Sequence, residues 1–417
     1  MAVQLGVIAD DFTGATDIAG FLVANGLRTI QLSGVQELHS IPADVDAIVI
    51  SLKSRSNPTG EAVEQSLEAL RRLKDVGATR FYFKYCSTFD STPTGNIGPV
   101  TDALLDDLGQ EFTVVCPALP VNGRTIYKGY LFVGDVPLHE SGMRNHPVTP
   151  MTDSNLMRLM EGQSEGKAGN VPVGVVDGGA AAVREALATL RESGVRYAVL
   201  DALNDEHLRT LGAAVADLVL VTGGSGLGGA IASTLTEDSR SSDPGGWTPV
   251  PGRGVVLSGS CSVMTNRQVD DYKGRAPSLA ISVDRLLRDP AGYEAEILEW
   301  VLAQPAGGPA PLVYATAGPE DVRRLQEKFG ASVTSEAIES LFANLARGLA
   351  AAGVTRFIVA GGETSGSVTT ALGVSGFHVG PQIAPGVPRV RSLDQRLELA
   401  LKSGNFGGVD FFTTAQQ

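Results

Sequence analysis

The chain is poor in the residues that mark several function classes. Cysteine occurs three times in 417 residues, as Cys86, Cys116 and Cys261, too few for a disulfide framework. The five histidines (His39, His139, His146, His207, His378) show no zinc-type spacing. Positive charge is outnumbered: 33 Lys and Arg against 46 Asp and Glu leave a formal net charge of −13. That balance argues against a duplex-nucleic-acid binder, which needs a basic face, and disfavours an anionic membrane surface. No apolar run approaches the roughly 20 residues of a membrane helix, and no signal peptide precedes the first strand. The expectation is a soluble, cytoplasmic protein. No G-x-x-x-x-G-K-[ST] motif occurs, which excludes a P-loop enzyme.

What is present is an ordinary globular composition, 43% hydrophobic and 19% charged, long enough for two or three domains. Apolar runs alternate with amphipathic stretches, the signature of α/β layering. Strands are expected at 5–9, 47–51, 81–85, 113–117, 173–176, 197–201 and 218–221, with helices at 60–75 and 180–193. Residues 122–133 read as a hairpin or extended excursion, and 143–150 as a polar loop. After Ile231 a stretch rich in turn formers, 237–246, marks a boundary. A second alternation follows: strands at 254–257, 279–283, 312–315 and 357–360, helices at 263–272, 293–303 and 335–352, and a helical end at 393–402. The expectation is two α/β lobes of the three-layer type with a ligand cleft between them.

Several strand ends carry chemistry. Leu5-Gly6-Val7-Ile8-Ala9 runs into Asp10-Asp11-Phe12-Thr13-Gly14-Ala15-Thr16-Asp17. Two carboxylates thus meet a helix N-terminus at the edge where open α/β sheets bind ligands. They suit taking a proton or facing a metal or hydroxyl. Arg55 and Lys84 also follow apolar runs and could fork onto or neutralise a substrate carboxylate. His139, Arg144 and His146 lie in the polar excursion, where surface placement is the default. Farther on, Ser258-Gly259-Ser260-Cys261-Ser262 and Gly361-Gly362-Glu363-Thr364-Ser365-Gly366-Ser367 each follow a strand. With Gly404 they form small-residue turns able to cradle phosphates. Gly224, Gly226 and Gly229 satisfy G-x-G-x-x-G, but a polar linker rather than a helix is expected after them. A turn or small-ligand contact is therefore preferred there over a dinucleotide site.

Taken together, 6–20, 84–92, 117–134, 221–227, 257–266 and 359–367 closely resemble the motifs of the four-carbon acid sugar kinases, over essentially the whole chain. The resemblance implies ATP-dependent phosphorylation of the terminal 4-hydroxyl of a four-carbon sugar acid of the 3-oxo-tetronate type. It implies an acid-sugar-binding domain at 1–236, a linker at 237–253 and a nucleotide-binding domain at 254–417. Ser258, Ala360, Gly361, Gly362, Glu363 and Gly404 resemble the ATP contacts. Asp10 and Asp11 are the candidate catalytic carboxylates, and Arg55 and Lys84 the candidate substrate residues. Mg2+ would accompany ATP, bridging its phosphates with few protein ligands. Which of the two acids is the base, which stereoisomer is used, and whether the 3-oxo or the plain tetronate is preferred stay open. So does assembly into a homo-oligomer. Two readings from other classes are an NAD-dependent sugar-acid dehydrogenase using Gly224–Gly229 and a non-enzymatic acid-sugar sensor.

Overall fold

Short apolar runs become strands buried along their whole length: Leu5–Ala9, Ala47–Ser51, Phe81–Lys84 and Thr113–Cys116. Burial on both faces is what a parallel sheet between two helix layers requires. The computed structural model describes residues 3–35, 45–146, 149–236 and 247–417; the turn-rich stretch at 237–246, and with it most of the linker expected at 237–253, lies outside the described residues. Contacts divide the chain into two units, Met1–Gly245 and Gly246–Gln417, each α/β.

In the first unit the sheet order is Thr29–Ser33, Ala47–Ser51, Leu5–Ala9, Phe81–Lys84, Leu220–Gly223, Thr113–Cys116, Val195–Leu200, Lys167–Val171, parallel throughout. The register pairs Ala9 with both Ser51 and Lys84, and Gly223 with Lys84. Four strands therefore end level, and the residues just beyond them share one edge. The excursion is a separate antiparallel sheet, Arg124–Tyr127, Tyr130–Val133 and Val136–Pro137. Asp201, fully buried, anchors it: its carboxylate accepts from Lys128 N at 2.6 Å, Gly129 N at 2.8 Å, Asn170 Nδ2 at 2.9 Å and Val173 N at 3.0 Å.

In the second unit Ser278–Ala280, Leu312–Tyr314, Arg253–Ser258, Val354–Ala360 and Glu398–Lys402 run parallel in that order. Val387–Ser392 and Gly376–Ala384 extend the sheet antiparallel. Ser258 pairs with Ala360, and Ala360 with Lys402, so these three strands also end level.

Four expectations are corrected. Residues 173–176 form a single helical turn after Pro172, and the strand lies before it, at Lys167–Val171; this polar outermost strand lacks an apolar run. The strand expected at 279–283 ends at Ala280, because Ser282 caps the helix Val283–Arg288. The helix expected at 393–402 is a turn followed by the strand Glu398–Lys402. Its Leu, Glu and Ala favour helix, but pairing on both sides overrides propensity, and buried Glu398 is satisfied by Arg389 at 3.1 Å and Val250 N at 2.9 Å. Finally, the linker expected after Gly224 is the helix Ser225–Thr236.

Candidate active site

At the first unit's strand edge, Asp10 follows strand Leu5–Ala9, and Asp11 is the N-cap of helix Phe12–Ala24, accepting from Gly14 N at 2.7 Å. Such a cap satisfies an otherwise orphaned amide. Asp10 is 3% exposed and pairs with Arg55 through two bonds, Nε to Oδ2 at 2.9 Å and Nη2 to Oδ1 at 2.8 Å. Arg55 also lies 2.9 Å from Asp11 Oδ1 and 3.8 Å from Asp90. The fork expected for a substrate is thus engaged by protein carboxylates. Burial drives the Asp10 carboxyl above the ordinary range against the pull of Arg55. For Arg55, burial works against the charge but Asp10 and Asp11 outweigh it, so the guanidinium stays charged. Asp11 Oδ2 has no hydrogen-bond partner among the described residues.

Lys84 is 3% exposed, and its ammonium donates to Tyr85 O at 2.8 Å. The turn that follows holds Phe89 at φ 48°, a left-handed conformation uncommon for a bulky residue and frequent at functional sites. That turn presents Asp90, which accepts from Thr88 Oγ1 at 2.6 Å. Sequence reasoning did not single out Asp17, yet it joins this cluster: it is 8% exposed and accepts from Ser225 Oγ. Its place in the Asp10–Asp17 motif was the available signal. His139 and His146 are instead tied locally, to Ser154 Oγ at 2.7 Å and Thr149 N at 3.1 Å, and Arg144 donates to the His139 carbonyl at 3.4 Å.

The glycines at 224–229 are buried and serve packing. A Cβ at Gly224 would lie 2.7 Å from Pro117 O, at Gly226 2.8 Å from Leu208, and at Gly228 2.7 Å from Ile18. Their surfaces are filled by protein, which leaves no cradle for a pyrophosphate.

In the second unit the turns after the three level strands converge. Gly259 N and Ser260 N donate to Ala360 O at 3.0 and 3.1 Å, and Gly361 N to Lys402 O at 2.9 Å. Ser258 is buried and bonds Thr316 Oγ1 at 2.7 Å. A Cβ at Gly404 would sit 2.7 Å from Ser260 Oγ, so only glycine lets these turns meet. Gly361 adopts φ 128° and caps the helix Gly362–Ala371 without a side-chain bond. The first amides of that helix, at Gly362 and Glu363, are left for an anion. Beside them lies a groove of about 810 Å³ lined by Gly259, Ser260, Glu336, Glu339 and Gly361–Thr364, among others. Glu339 accepts from Ser367 Oγ at 2.5 Å and Thr364 Oγ1 at 3.4 Å; burial, and then the charge of Glu363, push its carboxyl up. The six sequence-derived nucleotide residues thus share one strand edge. Thr364 stood in the phosphate-cradling run read from the sequence; Glu339 and the buried Lys402 are additions that only folding reveals.

A family model described as a sugar-binding N-terminal domain matches residues 5–231, and one described as a nucleotide-binding C-terminal domain matches residues 255–412. A Brucella melitensis protein named 3-oxo-tetronate kinase is 61% identical, with 99% of this chain and 95% of the relative covered. A Salmonella typhimurium protein of the same name is 54% identical, with 99% of each covered. Among solved structures, a Haemophilus influenzae protein matches with a TM-score of 0.88 at 56% identity, over 99% of each chain. A Salmonella typhimurium protein presented as a tRNA synthase matches with a TM-score of 0.95 at 53% identity, again over 99% of each.

Proposed function

The chain belongs to the four-carbon acid sugar kinases, and on that premise we propose that it transfers the γ-phosphoryl group of ATP to the 4-hydroxyl of a 3-oxo-tetronate. The observation that carries this reading is the pair of strand edges. One bears a buried cluster of carboxylates with Arg55 and Lys84; the other bears an uncapped helix N-terminus beside a groove. Polyhydroxy acids need charged and hydroxyl-reading groups, and phosphates need free amides. The buried glycines at 224–229 speak against the NAD-dependent dehydrogenase, and the net charge of −13 is at odds with a tRNA substrate.

Phosphoryl transfer asks the protein mainly for positioning and charge neutralisation. Lys84 supplies positive charge toward the substrate carboxylate. Asp11 is the better placed of the two candidate bases: one of its oxygens is unengaged, whereas both Asp10 oxygens face Arg55. Asp10 then holds Arg55 in place. Gly362 and Glu363 offer amides to the ATP phosphates, with Ser258, Ala360, Gly361 and Gly404 shaping the turn around them. Among the described residues no three His, Cys, Asp or Glu side chains cluster to hold a cation. A magnesium ion would be held mainly by the nucleotide's own phosphates, with few protein ligands, and would supply charge neutralisation there. The plain tetronates, threonate and erythronate, are the alternative acceptors.

The test is a coupled ADP-release assay with ATP and magnesium against 3-oxo-tetronates, threonates and erythronates. Release with a 3-oxo acid at a kcat/KM well above the plain acids supports the reading. Release only with a plain tetronate moves the substrate within the family. Silence with every four-carbon acid refutes the proposal.

A further inference from the structure

Asp17 carries an unsettled oxygen. The residue is 8% exposed, its Oδ2 accepts from Ser225 Oγ, and its Oδ1 is buried with no partner among the described residues. A buried carboxylate oxygen without a donor is costly and uncommon in a folded chain. Burial pushes this carboxyl up, and Lys84 is the strongest opposing charge, acting through space without a direct bond. Among the described residues Lys84, for its part, uses one of three donor positions, on Tyr85 O. An acceptor lacking a donor thus faces an ammonium with donors to spare.

The helix that carries Asp17 also brings a glycine against Lys84. Gly14 and Asp17 are three residues apart, on one face of helix Phe12–Ala24. A Cβ at Gly14 would lie 3.1 Å from Lys84 Nζ and would run into Asp11 Oδ1. Only glycine leaves Lys84 approachable there. An acceptor without a donor near donors without an acceptor matches an alcohol: its O–H would donate to Asp17 Oδ1 and its oxygen accept from Lys84 Nζ. A ketone or an apolar carbon leaves Asp17 unsatisfied.

We propose that Asp17, with Lys84, reads the non-reacting 2-hydroxyl of the acid sugar, and that Ser225 positions Asp17 for this. The inference rests on the kinase reading above, in which the 4-hydroxyl meets Asp11. It makes Asp17 a specificity residue that acts through substrate binding.

The experiment is a cycle between protein and substrate on the full chain. Calorimetry measures binding of 3-oxo-tetronate and of its 2-deoxy analogue, 4-hydroxy-3-oxobutanoate, to the wild type and to Asp17→Asn, with ATP binding as a check on folding. For the 2-hydroxy acid the variant is expected to lose about 10- to 100-fold in affinity, the range of a hydrogen bond to a charged group. The deoxy analogue is expected to bind both proteins equally, ATP affinity to be unchanged, and turnover to lose in KM more than in kcat. Equal losses with both acids would assign Asp17 a structural role and overturn the proposal. If Asp17→Asn does not fold, Ser225→Ala, which removes the hydroxyl that positions Asp17, enters the same cycle, with a smaller loss expected for the 2-hydroxy acid alone and the same refutation. A wild type that binds and phosphorylates four-carbon acids while the cycle shows no coupling sinks this inference alone. A wild type that binds none of them sinks the kinase reading with it.

Discussion

Replacing Lys402 with methionine should change how stability depends on pH more than stability itself. Lys402 ends the strand Glu398–Lys402 and is 1% exposed. Its ammonium donates to Thr265 Oγ1 and Gly404 O, both at 2.9 Å, and lies 5.9 Å from the centre of the Phe411 ring. It makes no ion pair among the described residues. Burial alone lowers its pKa from 10.5 to about 7. Between those values the unfolded chain holds a proton that the folded chain does not, so stability rises with pH by about 1.4 kcal/mol per pH unit. The full penalty, on the order of 5 kcal/mol, applies below about pH 7 and fades as pH approaches 10.5. Methionine removes the penalty and takes one of two donors from the Gly404 carbonyl, which keeps Thr265 Oγ1 at 2.7 Å, a loss of about 0.5–1.5 kcal/mol. At about pH 6 the variant should match or exceed the wild type. By about pH 9 the wild type should have gained about 3 kcal/mol on it. Urea unfolding followed by Trp247 and Trp300 fluorescence reports this directly, since both tryptophans lie in the second unit. Stability differences that stay constant across this pH range would refute the reasoning.

Two further changes probe the two strand edges. Gly361→Ala places a Cβ at φ 128°, 3.0 Å from Thr364 Oγ1 and 3.2 Å from Ser260 N; strain of about 1–3 kcal/mol at this turn should weaken ATP binding at least severalfold in calorimetry while acid-sugar affinity holds. Arg55→Met strips the buried Asp10 of its guanidinium and should destabilise the first unit by about 3–5 kcal/mol. Adding Asp10→Asn should recover part of that loss in urea unfolding, and a double variant no more stable than the single would show that the pair does not matter to folding.

Much of the architecture is legible locally. Buried parallel strands announce themselves as apolar runs, and the helices at 263–272 and 180–193 emerge with at most one residue of error, at the C-terminal end of the second, because the amphipathic period is clear in both and Ser262 caps the first. The missed elements lack such a signal. Lys167–Val171 is polar, and Glu398–Lys402 has helical composition but sits between two partner strands. The helix at Ser225–Thr236 was hidden by its glycines, which look like a loop until Ile18 and Leu208 are found packed against them.

The sequence by itself determined the α/β class, the motifs at the strand ends and the family they resemble, because these depend on residue order and short-range periodicity. It also determined which side chains are available for phosphate and acid recognition. Tertiary structure alone decided their partners. Asp10 meets Arg55 across 45 positions, Ser225 meets Asp17 across 208, and Lys402 meets Thr265 across 137. Those pairings follow from strand order and register, which bring distant segments to one sheet edge, and burial there then sets which charges are satisfied and which are left for a ligand.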